Sequence, residues 1–396
     1  MNKELHLDLS LFPKELNLIL LIVRSRKEQD LVHALHKEEL EDFDWGLFLE
    51  LARHHRLFPL LYTKIRKVDP SVIPAYVIDY LRKDYQANTF KMLTLCSEMD
   101  QIFRLFSQAS IRCLSLKGPV LAADLYGDLS LRTSGDLDLL IPLADLDQAE
   151  ELLVEAGYEK MEAPDMTLND WKWRHHHVTF YHAAKKMTLE IHWRLSPGPG
   201  KEPDFDFLWA RRRCSSVTQE PVYYLGREDL FLFLTAHGAR HGWSRLRWLM
   251  DISLLVHQEL DSKALIYLLK QNGQLHTGAQ ALVLASELLR TPIPDGLRKT
   301  TSHKRAWQLA EEALFYLRRM VNLHNKPVPE DVSKYHKGHL FSLMSGQQKI
   351  LFVLSFLYPY PEDIAIVKLP KSLHFLYFPL RPVLWMWRKT KKPAIS

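Results

Sequence analysis

Apolar residues recur every three or four positions along most of the chain, a spacing that is typical of amphipathic α-helices. The pattern runs from Pro13 to about Gln108 and returns from Glu228 to Arg240. It then continues as roughly four or five further helices between about Asp261 and Phe356. Between the first two regions, short segments alternate apolar and polar residues instead, as β-strands do. The pattern therefore predicts a strand-containing core between two helical regions.

The first strand-like segment of this core is Ile111–Leu116, and it breaks at the sequence Lys-Gly-Pro of residues 117–119. Glycine adopts backbone angles that other residues avoid, and proline suits the first turn of a helix. We therefore expect a turn there and a short helix from Val120 to Tyr126. After a polar segment, the residues from Asp136 to Ile141 alternate strictly and predict a second strand.

Asp136 and Asp138 lie two positions apart on this second strand, so their side chains share a face, about 6–7 Å apart along the chain. Two carboxylates on one face of an apolar strand cost free energy unless a positive charge lies between them. A divalent cation, Mg²⁺ or Mn²⁺, is one answer, because both ions prefer oxygen ligands. The alternative is that no metal binds, with Asp136 as a turn residue and Asp138 as a solvated strand residue. A DxD sequence without other signals favours this alternative.

Two further segments, Val178–His182 and Thr188–Trp193, predict the strands of a hairpin joined by residues 183–187. Glu190 alternates with apolar neighbours, so another acid lies on a half-buried strand. If this strand pairs beside the strand of Asp136, three carboxylates converge on one place. That arrangement suits two-metal phosphoryl transfer, in which the cations lie about 3.5–4 Å apart.

The order of strand, glycine turn, helix, DxD and later acid resembles the polymerase-β-type nucleotidyltransferase fold. Three segments, LKGPVLAADLYGDLSLRTSGDLDLL, EIHWRL and HGARHGWSRLRWLMD, together resemble a bacterial family of uncharacterised nucleotidyltransferases. The resemblance covers roughly residues 45–260. It implies an α+β fold with a small mixed β-sheet nucleotidyltransferase core flanked by N-terminal and C-terminal helical regions.

The resemblance also implies which residues act. Asp136 and Asp138 would be metal ligands, and Glu190 would be the third acid, as a metal ligand or as a base. These three residues are the catalytic and metal-binding candidates. The implied cofactor is Mg²⁺ or Mn²⁺, and the implied substrate is an NTP.

For nucleotide binding, the resemblance implies that the backbone of Gly118 approaches the triphosphate, with Lys117 and Arg132 near its charges. The broader superfamily usually carries Gly-Ser or Gly-Gly in this turn. Here Pro119 offers neither a hydroxyl nor an N–H. The phosphate contacts must then come from other residues, and Ser134, Arg132 and Lys117 are the candidates.

Possible substrate contacts are His192, on the strand of Glu190, together with His241 and Arg245. His237 and His241 are four positions apart and share a helix face, but without a glutamate after His237 the zinc-protease sequence HExxH is absent. We expect residues 237–243 to turn back on the cleft. An ion-pair role for His241 or Arg245 stays open, and Asp251 in the next helix can hold an arginine in place.

Two other histidine clusters have simpler interpretations. In WKWRHHH, at residues 171–177, consecutive side chains on a strand alternate faces and cannot all bind one ion. We expect a polar start of a strand, with His176 or His177 near the site. His54 and His55 are expected at a surface or cap position of a helix, because no acid or cysteine has ligand spacing nearby.

Composition narrows the class of protein. A chain of 396 residues is too long for one ordinary core. Apolar residues at 47% and charged residues at 25% are typical of a globular protein. The net charge of +5 is too small to indicate a nucleic-acid groove. The three cysteines are far apart and give no disulfide framework or CxxC site, so we expect a reducing cytoplasm.

We expect four parts: an N-terminal helical domain at 1–108, the nucleotidyltransferase core at 109–225, a C-terminal helical domain at 226–368, and an aromatic and basic tail at 369–396. The segment Leu369–Lys392 of the tail combines aromatic residues, prolines and a basic end. This composition suits peripheral contact with a membrane of anionic lipids. It equally suits packing on the helical domain. Pro379 and Pro382 favour a packed or loosely ordered tail, because prolines interrupt a long helix.

Two functions from different classes stay open. The first is a metal-dependent nucleotidyltransferase that moves a nucleoside monophosphate from an NTP to a hydroxyl or phosphate of a small molecule, sugar, peptide or protein, with release of pyrophosphate. The second is a catalytically silent nucleotide-binding relative, or a transferase of another group, in a biosynthetic cluster. The three acids favour the first function, and Pro119 favours the second.

Overall fold

The computed structural model describes residues 5–25, 31, 35, 43–162, 170–323 and 327–391 of the chain. The predicted helical pattern at residues 26–30, 32–34 and 36–42, the domain prediction for residues 1–4 and the tail prediction for residues 392–396 lie outside the described residues.

The α-helices are α1 (Lys14–Arg24), α2 (Trp45–His54), α3 (Phe58–Ile65), α4 (Ala75–Gln108), α5 (Pro119–Leu121), α6 (Leu146–Glu155), α7 (Trp171–Arg174), α8 (Phe205–Ala210), α9 (Arg227–Arg240), α10 (Leu246–Val256), α11 (Ser262–Gln271), α12 (Leu275–Leu289), α13 (Asp295–Thr301), α14 (Lys304–Arg318), α15 (Glu330–Leu343), α16 (Gly346–Ser355), α17 (Pro361–Ile366) and α18 (Tyr377–Lys391). A π-helical turn covers Ala122–Tyr126, and 3₁₀ segments cover Leu129–Leu131, Leu143–Asp145 and Lys371–Leu376. The strands are β1 (Leu114–Ser115), β2 (Leu137–Leu140), β3 (Glu159–Glu162), β4 (His177–His182), β5 (Met187–His192), β6 (Arg213–Ser215) and β7 (Val222–Tyr224).

Seven strands of the described residues form one mixed sheet in the order β3-β4-β5-β2-β1-β7-β6. The predicted hairpin is present as the antiparallel pair β4 and β5. Strand β5 lies parallel to β2, whereas β1 is antiparallel to β2 and parallel to β7. The two strands that carry the acidic residues are therefore neighbours in the middle of the sheet. A mixed sheet with helical regions before and after it confirms the predicted α+β class.

Two apolar cores cover this sheet. One lies between α4, α6 and the sheet face that carries Leu137 and Leu139 of β2 and Leu189 and Ile191 of β5. The other core contains residues of α1–α3 and α9–α14. The helices before and after the sheet thus share one core. Strand alternation turns Asp138 and Glu190, which lie between these apolar residues, toward the opposite face. The predicted domain boundaries stay a prediction.

The turn after β1 is the expected one. Gly118 has φ +83°, a backbone angle that glycine adopts without strain, and α5 begins at Pro119. The chain then continues as the π-helical turn to Tyr126. The predicted strand over residues 111–116 is shorter than expected, because only Leu114 and Ser115 pair with β2.

The tail forms a helix, and the prediction that its prolines would interrupt one is wrong. Helix α18 continues through Pro382, while Pro379 lies in its first turn, where a backbone N–H has no helical partner. Tyr377 is fully buried, and Arg381 forms an ion pair with Asp363 of α17 at 3.1 Å. These contacts fix the start of the helix on its neighbour.

Farther along α18, Trp385 and Trp387 are 46% and 52% exposed. Their exposure is compatible with the membrane contact that the sequence suggests, which stays a prediction. In the part of the chain that the structure describes, no helix combines the length and apolar character needed to cross a bilayer.

Candidate active site

Two carboxylates stand side by side in the middle of the sheet. Asp138 of β2 lies directly opposite Glu190 of β5 in the parallel register. Their apolar neighbours Leu137 and Leu189 are fully buried on the other face. Strand alternation therefore points both acids toward the helical regions.

His192 bridges these two acids. Its Nε2 atom lies 3.4 Å from Asp138 Oδ1 and 3.2 Å from Glu190 Oε2. Burial opposes protonation of the imidazole, but hydrogen bonds to the two carboxylates raise the pKa of His192 above its ordinary value. The residue that we expected to contact substrate thus also holds the carboxylates in position.

Lys117 follows β1 and supplies a positive charge at the same place. Its Nζ atom lies 2.8 Å from Oδ1 of Asp138, whose side chain is completely buried. Burial opposes ionisation of Asp138, but Lys117 and His192 hold the pKa of this carboxyl well below its ordinary value. Asp138 is therefore a carboxylate at neutral pH.

Asp136 precedes β2 and lines the same cavity as Asp138 and Glu190. Burial and the negative charge of Asp138 raise the pKa of Asp136 to about 6. The hydroxyl of Ser134 donates a hydrogen bond to the backbone oxygen of Asp136 at 3.1 Å. The position of an added Cβ on Gly118 would lie 3.9 Å from that oxygen. Ser134 and Gly118, both expected near phosphate, thus pack against the backbone of the first acid.

Within the described residues, the ligand atoms of Asp138, Glu190 and His192 lie within 4.8 Å of one another, close enough to share a metal ion. Asp136 is not part of this group, so the structure brings together two of the three acids predicted to bind metal. Oδ2 of Asp138 is buried and accepts no hydrogen bond from the described residues. A buried anionic oxygen without a donor suits a cation, and carboxylate oxygens suit Mg²⁺ or Mn²⁺. These residues therefore fit the expected metal.

A histidine group adjoins the acids. The ring nitrogens of His176, His177 and His192 lie within 4.8 Å of one another. His176 precedes β4, so the alternation of a strand does not separate it from His177, and both residues reach the site instead of one. Burial lowers the pKa of His176, and it lowers the pKa of His177 to about 4. Both imidazoles are therefore neutral at neutral pH.

A cavity of about 830 Å³ lies above the acids, between the sheet and the helical regions. His241 and Arg245 line it, as expected if residues 237–243 turn back on the cleft. The cationic residues of its lining are Arg56, Lys117, Arg240, Arg245 and Arg247, and the acidic ones are Asp136, Asp138 and Glu190. Because cations outnumber carboxylates among these described residues, the cavity suits an anionic ligand.

Arg132 lies away from this cavity and is not among the described residues that line it. Its Nε and Nη2 atoms donate to the two carboxylate oxygens of Asp251, each at 2.9 Å, and both side chains are fully buried. Tyr126 donates a third hydrogen bond to Asp251 at 2.7 Å. Asp251 does hold an arginine, as expected, but the arginine is Arg132. The guanidinium of Arg132 is therefore paired with Asp251 and does not line the cavity where its contact with triphosphate was expected.

Sequence reasoning missed Arg56 and Arg247. Arg56 directly follows His55. As expected, His55 lies at a cap position of α2, but its side chain is fully buried. His54 ends α2 and forms a hydrogen bond to the backbone oxygen of Ser244 at 2.9 Å, which joins this helix end to the start of α10. Nothing in the sequence links residues so far apart. By contrast, Arg247 lies within the segment HGARHGWSRLRWLMD and could have been included on that ground.

A family model described as uncharacterised nucleotidyltransferase matches residues 41–290. The match includes both acidic strands and the helices α9 and α10 that cover them. Comparison with curated proteins and with solved structures gives no match. Since the family model matches more than half of the length of the chain, the chain belongs to the uncharacterised nucleotidyltransferase family.

Proposed function

We propose that the protein is a metal-dependent nucleotidyltransferase that moves a nucleoside monophosphate from an NTP to a hydroxyl or phosphate acceptor. The observation that carries this proposal is the pairing of Asp138 with Glu190 at the floor of a cavity with an excess of positive charge. Family membership supports nucleotidyl transfer in general. The metal, the acceptor and the release of pyrophosphate belong to the proposal.

Asp138 and Glu190 would hold Mg²⁺ or Mn²⁺ through carboxylate oxygens, and Asp136 would add a further ligand. The bound cation would neutralise charge on the phosphates and lower the pKa of the attacking hydroxyl. His192 keeps the two carboxylates of β2 and β5 in position through its Nε2 atom. Lys117, beside Asp138, adds a positive charge for the phosphates.

In the reaction, an acceptor oxygen forms a bond to the α-phosphorus. The bond from this phosphorus to the bridging oxygen breaks, and pyrophosphate leaves with the electron pair. The proton of an acceptor hydroxyl needs a base. Glu190 suits this role because 24% of its side chain is exposed in the cavity wall, whereas the side chain of Asp138 has no exposed surface.

The proposed acceptor is a small molecule, sugar, peptide or protein, as predicted. The cavity of about 830 Å³ has the size of a site for a nucleotide or another small ligand. The cytoplasmic location suggested by the cysteines stays a prediction.

Two observations favour the second function, a catalytically silent nucleotide-binding relative or a transferase of another group. Pro119 removes a backbone N–H from the turn where relatives hold phosphate, and Lys117 is engaged with Asp138. Binding without turnover would agree with both features. Release of pyrophosphate separates the two functions.

The proposal is tested by titrating the protein with Mn²⁺ and an NTP analogue whose α,β-bridge is a methylene group. We expect binding of the analogue to require the metal and to be lost in Asp138→Asn combined with Glu190→Gln. Glu155→Gln, an exposed acid on α6, is the matched control and should bind normally. Wild-type binding that survives the double substitution would contradict the proposal. With each natural NTP, release of pyrophosphate would then show turnover.

A further inference from the structure

A bound triphosphate needs several positive or donor groups, and the residues expected to supply them are already engaged. Lys117 pairs with Asp138, and Arg132 is buried against Asp251. The Ser134 hydroxyl donates to the backbone of Asp136, and Pro119 has no N–H. Other residues of the cavity must therefore carry most of the phosphate charge.

Three other arginines of the cavity lining are available. Among the described residues, no carboxylate lies within 4.0 Å of the guanidinium groups of Arg56, Arg245 or Arg247, although all three line the cavity. Arg247 donates from Nη1 to the backbone oxygen of Thr133, but its Nε is buried without an acceptor in the described part of the chain. The buried hydroxyl of Thr133 also lacks a hydrogen-bond partner there. Buried donors without partners are costly, so these groups suit a ligand rich in acceptor atoms.

The positive charges of these arginines also favour a ligand that is negatively charged. Burial and the nearby charge of Arg56 lower the pKa of Arg245 to about 10. Burial and the nearby charge of Arg132 lower the pKa of Arg247 to about 9. The carboxylates of Asp136 near Arg245 and Asp251 near Arg247 offset the effect of burial only in part. A further anion at this place would therefore stabilise the charged arginines.

The backbone of Arg56 gives a separate indication that its side chain is needed. Arg56 has φ +59°, in the left-handed region, one position beyond the residue that caps α2. The N–H of Leu57 bonds to the carbonyl of Ala52, which is the hydrogen bond of a glycine-type helix end. Glycine adopts this conformation at lower cost than any residue with a side chain. Arginine at this position therefore costs stability, and that cost is understandable if the guanidinium binds a ligand.

Arg56 and Arg245 also border a second cavity of about 560 Å³ toward α2 and α4. Arg56, Thr133, Ser134 and Arg245 line both cavities, so the two spaces meet at this wall. An extended ligand could therefore place its charged part at the arginines while its reacting phosphate lies over Asp138.

We propose that Arg56, Arg245 and Arg247, with the Thr133 hydroxyl, form a polyphosphate site for the β- and γ-phosphates of the NTP, here named the arginine wall. This inference rests on the proposed function, since it assigns the triphosphate of the same reaction. The helical regions on both sides of the sheet then complete the nucleotide site. A phosphorylated acceptor presents the same chemistry, and the experiment distinguishes the two ligands.

The test is calorimetric titration with inorganic tripolyphosphate in EDTA, and with the methylene NTP analogue in Mn²⁺, for wild-type protein and Arg56→Gly. We expect Arg56→Gly to weaken the binding of both ligands by about tenfold to a hundredfold, because it removes hydrogen bonds to charged groups. Its melting temperature should equal or exceed that of the wild type, since glycine suits the backbone. Arg245→Gln should weaken both ligands similarly.

Arg104→Gln is the matched control, because Arg104 lies on α4, is paired with Asp100 at 2.8 Å and is not among the described residues that line either cavity. It should bind both ligands as the wild type does. Unchanged binding of both ligands by Arg56→Gly and Arg245→Gln would overturn the arginine wall. Weaker tripolyphosphate binding with unchanged analogue binding would also overturn it, and would assign these arginines to a phosphorylated acceptor. Because tripolyphosphate is titrated without metal, the arginine wall can be judged even if metal-dependent nucleotide binding fails.

Discussion

The ammonium group of Lys117 lies 2.8 Å from Oδ1 of Asp138, on the carboxylate that we propose as a metal ligand. A positive charge so close to a ligand oxygen repels a divalent cation. We therefore expect Lys117→Met to bind Mn²⁺ more tightly than the wild type when no nucleotide is present. Electron paramagnetic resonance of free Mn²⁺ measures this affinity directly.

A control for this change is Lys160→Met. Lys160 pairs with Glu150 at 2.7 Å, in a cavity away from the acids, and its loss should leave the Mn²⁺ affinity unchanged. If Lys117→Met bound Mn²⁺ as the wild type does, Asp138 would not be a ligand of the metal.

Asp136 and Asp138 should affect stability in opposite directions. Burial and the charge of Asp138 raise the pKa of Asp136 to about 6, so its ionised form is unfavourable in the folded protein. The pKa of Asp138 is lowered by Lys117 and His192 despite burial, so its ionised form is favourable. At pH 8 in EDTA, Asp136→Asn should raise the melting temperature, and Asp138→Asn should lower it.

The pH dependence of the Asp136 effect follows from the sign of its shift. A carboxyl whose pKa is raised from 3.8 to about 6 destabilises the fold above about pH 6, and it loses this effect as the pH falls toward 4. The gain from Asp136→Asn should therefore be largest at pH 8 and absent near pH 4. Thermal unfolding of both proteins across this range measures the difference, and a gain that does not vary with pH would contradict the assignment.

The buried pair of Arg132 and Asp251 should dominate the stability of the region behind the cavity. Both side chains have no exposed surface, so Asp251→Asn leaves a buried guanidinium without a full partner. We expect a loss of about 3–5 kcal/mol in the free energy of unfolding, measured with urea. The control is Asp79→Asn, which removes an exposed pair with Arg82 and should cost about 0.5 kcal/mol or less. Equal effects of the two substitutions would show that burial does not set the strength of these pairs.

Much of the fold near the site could be predicted, because periodicity reports which face of an element is apolar. The alternation around Asp138 and Glu190 correctly gave the side of the strand on which each acid lies. Periodicity does not report which strands are neighbours. The sequence pattern therefore leaves the pairing of β2 with β5 open, and only the family resemblance implies it.

The rest of the site depends on contacts between distant parts of the chain. Arg56 reaches the cavity because His54 bonds to the backbone of Ser244, and no local pattern encodes that contact. Arg132 looked like a phosphate ligand because it lies near the motif, but its buried partner Asp251 lies in α10. The short β1 and the helix through Pro382 likewise result from packing that outweighs local preference.

The substitution Gly238→Ala tests whether α9 must pack closely against the turn that contains His241. An added Cβ at Gly238 would lie 2.3 Å from Cζ3 of Trp243, and the indole is fully buried, so it cannot move without displacing the core. Gly238→Ala should therefore lower the free energy of unfolding by about 1–3 kcal/mol, measured with urea.

Gly338 is the matched control for this substitution, because it also lies inside a helix, α15. Apart from its chain neighbours and the backbone of its own helix, no atom of the described residues lies within 4 Å of the added Cβ. Gly338→Ala should stabilise the protein by about 0.5–1 kcal/mol, since alanine favours a helix over glycine. Because the displaced indole lies next to the turn before Arg245, Gly238→Ala should also weaken tripolyphosphate binding, whereas Gly338→Ala should not. Normal stability and binding of Gly238→Ala would show that the turn tolerates a shift of α9 and does not fix the position of Arg245.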